Sequence, residues 1–196
     1  FHPLGGRPQQ IASVTTLSRK DGEAIAAACP DCTLVAASII RPERIKVGAV
    51  VTNTEVESLG PDGFEVKGIA AASGHLFTSQ DVGARRAVIV LGATVAETLF
   101  PNGDPVGDMV SLGRLPFQVV GVAESKGSDA AGNDLDNIAF VPLDTGMRRL
   151  FHTNWIETLY VKVPDRKAMG TAETSIHELL RSLHRLGSDV DDDFEI

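Results

Sequence analysis

Aromatic side chains are scarce in this chain: one Trp (Trp155), one Tyr (Tyr160) and eight Phe among 196 residues. So few rings offer little on which bases or sugars could stack. Positive charge is also short, with 18 Lys and Arg against 26 Asp and Glu, a formal net charge of −8 and a pI of about 5.1. A protein that tracks a phosphate backbone needs the opposite balance, so nucleic acid is excluded as a partner class. The same balance disfavours a polybasic attachment to anionic lipid. No run reaches the roughly 18 apolar residues that a membrane-spanning helix requires. The opening Phe1-His2-Pro3-Leu4-Gly5-Gly6 has neither the charged nor the apolar region of a secretory signal, and it does not begin with Met. The expectation is a piece of a longer protein whose targeting information lies elsewhere.

The motifs of common chemistries are missing as well. There is no GxxxxGK[ST] or GxGxxG loop to cradle a nucleotide phosphate, and no GxSxG elbow to expose a nucleophile. His177-Glu178 starts like a zinc-protease HExxH, but Arg181 occupies the second ligand position, and a cation cannot bind zinc. His177 and His184 lie seven residues apart, too far for a shared metal, and read as half-exposed structural residues. The late acidic residues Asp189, Asp191, Asp192, Asp193 and Glu195 lack the glycine and terminal glutamate of a calcium loop. Asp134-Leu135-Asp136-Asn137 alternates acceptors and reads as a solvated loop. No catalytic residue, metal site or cofactor is expected.

Both cysteines fall in Cys29-Pro30-Asp31-Cys32. They follow a helical stretch, so they lack the N-terminal helix dipole that activates a redox CxxC. A second CxxC for zinc and a His after Cys32 for haem are both absent. A local disulfide and two free thiols both remain open, with an oxidising compartment favouring the bond.

What is present is 43% apolar sequence, enough for a real core. Residues 1–16 are rich in Gly, Pro and Gln and read as irregular. Ser18 with Asp21 forms a capping-box signal for a helix through Ile25 that stops at Pro30. Residues 33–40 and 45–54 read as strands, 55–63 as a turn and 64–69 as another strand. Ala87-Val88-Ile89-Val90-Leu91 has the continuous apolar character of a buried strand, and 94–100 reads as helical. Residues 109–112 and 117–122 flank Gly113-Arg114-Leu115-Pro116 as a hairpin. The polar stretch 125–137 is an exposed loop, 138–141 a strand and 144–151 a short helix. In 158–163, Leu159, Val161 and Val163 alternate inward. A long helix capped by Asp165 then buries Ala172, Ile176, Leu179, Leu180 and Leu183 and stops at Gly187.

A helix and strand at the start and a strand and helix at the end imply one α/β part built from both termini, with a β-rich insertion. The expected class is α+β in two subdomains: 14–66 with 153–196, an inserted 67–152, and an irregular lead-in over 1–13. The loop Lys126 to Asn137 has no evident core duty, which makes Lys126, Asp134 and Asp136 the candidate partner-binding residues.

Six stretches carry a resemblance. Gly74-His75-Leu76-Phe77-Thr78 with Asp81 is similar to GRxFTxxD, and Leu99-Phe100 with Asp104-Pro105-Val106-Gly107 to LF…DPVG. Pro116-Phe117-Gln118-Val119-Val120-Gly121-Val122 resembles xFxVVGV, and Lys126-Gly127 with Asp134-Leu135-Asp136 resembles KG…DQD. Val141-Pro142-Leu143 with Thr145 resembles VPLxT, and Leu179-Leu180-Arg181, His184 and Asp192-Asp193-Phe194 resemble LLRxRH…DDF. In this order they resemble the periplasmic core domain of MacB-type ABC-transporter permeases, whose superfamily includes lipoprotein-release and FtsX-like permeases. His75 and Leu183 stand where that pattern has Arg, and Cys29-Pro30-Asp31-Cys32 is foreign to it.

The resemblance implies a porter-like part from both termini and an inserted sabre-like part, outside the bacterial cytoplasmic membrane between two transmembrane helices. It implies a cytoplasmic ATPase domain, a second permease copy in a homodimer or heterodimer, and a membrane-fusion adaptor protein. The implied function is transmission of ATP-driven motion for efflux of a small molecule or peptide. Regulation or sensing in an FtsX-like permease, and lipoprotein release, are the alternatives.

Overall fold

The structure is a computed structural model that describes residues 16–196. The lead-in expected over 1–13 lies outside the described residues. Helix α1 (Arg19–Ala28) begins where expected, with the Ser18 N–H and hydroxyl both donating to the Asp21 carboxylate at 2.7 and 2.9 Å. It ends before Pro30, and Cys29 and Cys32 are joined there in a disulfide with Cα atoms 5.3 Å apart.

Strand β1 (Leu34–Val47) turns through Gly48, at φ +56°, into β2 (Val50–Leu59). This antiparallel pair is longer than the two strands expected from sequence, and residues 55–59, expected as a turn, belong to it. The expected strand over 64–69 is instead the short helix α2 (Gly63–Val66). Phe64 and Val66 mimic a strand's alternation, but Pro61-Asp62-Gly63 reverses the chain first. Then come β3 (Ala71–Gly74), α3 (Ser79–Gly83), β4 (Val88–Leu91), α4 (Ala93–Leu99), and the hairpin β5 (Met109–Leu112) and β6 (Leu115–Ala123). β7 (Ile138–Pro142) leads into α5 (Leu143–Thr145), whose continuation Gly146–Leu150 is a π-helical turn where a plain helix was expected. Strand β8 (Thr158–Lys162) and helix α6 (Ala168–Leu183) finish the chain, with Asp165 Oδ1 accepting from the Lys167 and Ala168 amides.

Ile45 of β1 pairs with Thr52 of β2 on one edge and with Leu112 of β5 on the other. With the pairings β2–β7, β7–β4, β4–β6 and β6–β5, six strands close into a ring. Closure leaves no free edge among those six. One core cluster takes residues from every strand of the ring: Ile45, Val56, Val110 and Leu112, Phe117 and Val119, Ile89 and Leu91, Ala139 and Val141. Their spacing of two puts them on one face of each strand. Val95, Ala96 and Leu99 of α4 pack against them. The opposite faces of β4 and β7 are covered too, by a cluster containing Val88, Val90 and Phe140 with Phe64, Phe77 and Val82. That double burial explains the unbroken apolar run 87–91.

Strand β3 lies against β6 only because two glycines meet there. A Cβ on Gly74, which sits at φ +65°, would stand 2.2 Å from the Val120 carbonyl oxygen. One on Gly121 would stand 2.4 Å from that of His75.

The first half of β1 pairs with β8. Helices α1 and α6 cover these strands through Ile25, Cys29, Cys32, Ala172, Ile176 and Leu180, with Leu159, Val161 and Val163 facing them. Among the described residues, α1, the start of β1, β8 and α6 therefore form one layered α/β unit, and β1 and β2 also supply two staves of the ring. A smaller cluster, Ile39, Leu143, Met147 and Ile156, lies where the two meet.

Candidate functional site

The loop 125–137 is organised by a single carboxylate. Asp136 Oδ1 accepts the Lys126 amide at 2.7 Å, and Oδ2 accepts the Gly127 amide at 2.9 Å and the Ser125 hydroxyl. Burial opposes the charge on Asp136, but these donors and the nearby Lys126 charge outweigh it and hold the pKa below the usual carboxylate value. Asp134 Oδ1 in turn accepts the Asp136 amide at 2.8 Å. The expectation of a wholly solvated loop is therefore corrected at Asp136, which is only 7% exposed and faces inward. Lys126 reaches back so that its Nζ donates to the Lys67 carbonyl at 2.7 Å. Of the three candidate residues, Asp136 and Lys126 bind the loop to the fold. Asp134 and Leu135 are left at its surface, Leu135 being 45% exposed. Beneath them, Lys67, Ile69, Gly92, Lys126, Leu135 and Phe140 are among the residues lining a cavity of about 230 Å³.

Next to that cavity lies a buried ion pair that the sequence reading missed. Glu57, fully buried on β2, receives the Ser38 hydroxyl at 2.7 Å and pairs with the Lys67 ammonium. Lys67 Nζ also lies 4.7 Å from the centre of the Tyr160 ring on β8 and 6.0 Å from that of Phe140 on β7. One cation thus faces groups on β2, β7 and β8. The available signal was Glu57 set between Val56 and Leu59, with a lysine ten residues on.

At the far end of the terminal unit, the acidic tail is partly neutralised. Asp192 pairs with Arg181 and with His177 Nε2 (2.7 Å), and Asp193 with His184 Nδ1 (2.7 Å). His177 is half-exposed, whereas the His184 ring is turned inward, its side chain 9% exposed. Among the described residues, no three His, Cys, Asp or Glu side chains converge as a metal-ligand set. None of the described helices is long and apolar enough to cross a membrane.

The family of MacB-like periplasmic core domains matches residues 3–179, most of the chain. The chain belongs to that family. A macrolide export ATP-binding/permease protein MacB from Chlorobaculum tepidum is 31% identical over 193 residues, 98% of this chain and 30% of that relative. The chain thus spans about a third of the full-length protein it matches. The periplasmic region of MacB from Actinobacillus actinomycetemcomitans superposes with a TM-score of 0.76 at 25% identity, covering 87% of this chain and 76% of that one. The extracellular domain of the noncanonic ABC-type transporter YknZ from Gram-positive bacteria shares the fold, at a TM-score of 0.76 and 19% identity over 86% of this chain and 84% of that one. The mixed α/β architecture is the one seen in these two domains.

The stretches that resemble the MacB-like pattern have structural duties. Thr78 and Asp81 form a capping box on α3, and the Thr78 amide and hydroxyl hold the Asp81 pKa low, with Arg86 adding to the effect. Lys126-Gly127 and Asp136 form the loop anchor. Arg181, His184, Asp192 and Asp193 fasten the tail.

Proposed function

We propose that the domain is the extracytoplasmic module of an ABC-transporter permease, working at the outer face of the bacterial cytoplasmic membrane. In this reading a cytoplasmic ATPase domain drives motion through transmembrane helices on either side of the domain, and two permease copies act together. The domain passes that motion to a membrane-fusion adaptor for export of a small molecule or peptide. The curated relative's name, a macrolide export protein, supports a macrolide as the first substrate to assay.

The observation that carries the reading is where the described ends meet. The Thr16 hydroxyl donates to the Asp193 carbonyl at 3.1 Å, and Leu17 and Phe194 share one apolar cluster. Two membrane helices attached there would pull on the same packed unit, and a tilt of that unit would carry outward along β1 and β2 into the ring of strands. The functional division is a terminal part, 14–66 with 153–196, and an inserted part, 67–152. The loop face at Asp134 and Leu135 is the adaptor contact, with Asp136 and Lys126 presenting it.

Sequencing the reading frame on both sides tests the assignment. One apolar span of about 20 residues upstream and three downstream is the expected result; a signal peptide without spans would sink it. For the loop, Asp134→Lys in the full permease is expected to weaken adaptor binding and leave ATP hydrolysis intact. Unchanged binding would retire the loop from that role.

A further inference from the structure

The last ten residues fold back along α6 and meet α1 through one histidine. His184 stands between two carboxylates from different elements: Nδ1 is 2.7 Å from Asp193 Oδ1 on the tail, and Nε2 is 3.5 Å from Asp21 Oδ2 on α1. Side-chain exposures are 9% for His184, 8% for Asp21 and 20% for Asp193. Phe194 packs edge-on against both His184 and His177, with ring centres 5.9 and 5.7 Å apart. Nε2 is buried and has no hydrogen-bond partner.

A neutral imidazole donates from one nitrogen only. With that proton on Nδ1, facing Asp193, Nε2 turns a lone pair toward the Asp21 carboxylate. Protonation makes both nitrogens donors and sets a cation between two anions. The other charges nearby are already engaged: Asp21 accepts from Ser18, and Arg181 and His177 on α6 are taken by Asp192.

We infer that His184 is a pH-dependent clasp that fastens residues 187–196 to α1 when protonated and, when neutral, loosens that hold by losing Asp21 while keeping its Nδ1 hydrogen bond to Asp193. Because Asp193 also receives Thr16, the clasp governs how the two described ends are held together. This inference stands without the transport reading. Burial pulls the His184 pKa down, but the Asp193 hydrogen bond and the charges of Asp193 and Asp21 raise it above the ordinary 6.5. The clasp's contribution is therefore fully present below 6.5 and is lost as pH rises through the elevated pKa.

The test is a nuclear magnetic resonance titration of His184 together with amide exchange of residues 188–196 at about pH 5.5 and about pH 8.5, corrected for intrinsic exchange. His184 is expected to titrate above 6.5, and tail opening to rise on the order of tenfold for each unit by which its pKa is raised. His184→Gln flattens that response. Asp193→Asn lowers the titration midpoint and opens the tail at both pH values. A midpoint at or below 6.5, equal tail exchange at both pH values, or a His184→Gln variant that keeps the response would overturn the clasp. Should that variant fail to fold, Asp193→Asn decides: a wild-type midpoint and wild-type exchange would refute it.

Discussion

Replacing Asp136 by Asn removes one charge and changes almost nothing in size, so it isolates what the carboxylate does for the loop. Its two oxygens accept from three donors: Oδ1 from the Lys126 amide, and Oδ2 from the Gly127 amide and the Ser125 hydroxyl. The Ser125 hydroxyl can rotate to accept, but a backbone N–H cannot. Whichever way the new amide is turned, its NH₂ confronts either the Lys126 or the Gly127 N–H, and one part-buried donor loses its acceptor. Hydrogen bonds to charged groups contribute about 1.5–3 kcal/mol, and an unpaired buried donor costs about 1–3 kcal/mol. These two figures describe overlapping parts of one event, so the expected loss is about 2–3 kcal/mol. At roughly 2–4 °C per kcal/mol for a domain of this size, the melting temperature at neutral pH should fall by about 4–12 °C. Amide exchange should accelerate across 125–137 more than in the ring strands.

The pH dependence has a definite sign. Since the folded pKa of Asp136 lies below its ordinary 3.8, the carboxylate stabilises the fold above 3.8 and loses that contribution as pH falls through the lowered value. The gap between wild type and Asp136→Asn should therefore narrow in acid. A variant melting within about 1 °C of wild type at neutral pH, with loop exchange unchanged, would refute the claim that this carboxylate holds the loop.

Two further outcomes follow from buried chemistry. Lys67→Met leaves the Glu57 carboxylate, fully buried on β2, without its cation; chemical denaturation should show a loss of about 3–5 kcal/mol, with most of it recovered in the Glu57→Gln, Lys67→Met double variant. Reduction of the Cys29–Cys32 bond should cost about 2 kcal/mol on the chain-entropy account of so short a loop, while thiol titration of the denatured, unreduced chain should find no free cysteine.

Those same buried groups mark where the fold was legible in the sequence and where it was not. The capping box at Ser18 and Asp21, the apolar run through Leu91, the hairpin at Gly113 and the stripe of Ala172, Ile176 and Leu180 each declare an element by local pattern, and each element is present. Strand β2 is legible only as far as Thr54, because Glu55, Glu57 and Ser58 give its second half the polar look of a turn. Glu57 is nonetheless buried there, because Lys67 and Ser38 satisfy its charge, and they come from other segments. Strand β3 was invisible because Ala71, Ala72, Ser73 and Gly74 carry no hydrophobic signal; the close approach of Gly74 to Gly121 makes it a strand. Closure of the ring was hidden for a similar reason. It depends on Ile45 having partners on both edges, a long-range fact that no local window contains.

The candidate site follows the same logic one level up. Asp81, Asp136, Asp192 and Asp193, four acidic residues in three of the stretches that resemble the family pattern, each accept hydrogen bonds from, or pair with, residues of their own stretch. They cap a helix, tie a loop and close a tail, which is work within the domain itself. A residue that meets a partner is under no such internal demand. Asp134 uses one oxygen to steady the Asp136 amide, and Leu135 leaves much of its side chain in solvent. A motif built from internal ties therefore announces the fold clearly and says little about the surface. Lys126 and Asp136 show why: the motif marks them, and the structure gives both an internal tie, so their presence in the motif does not by itself make them contacts.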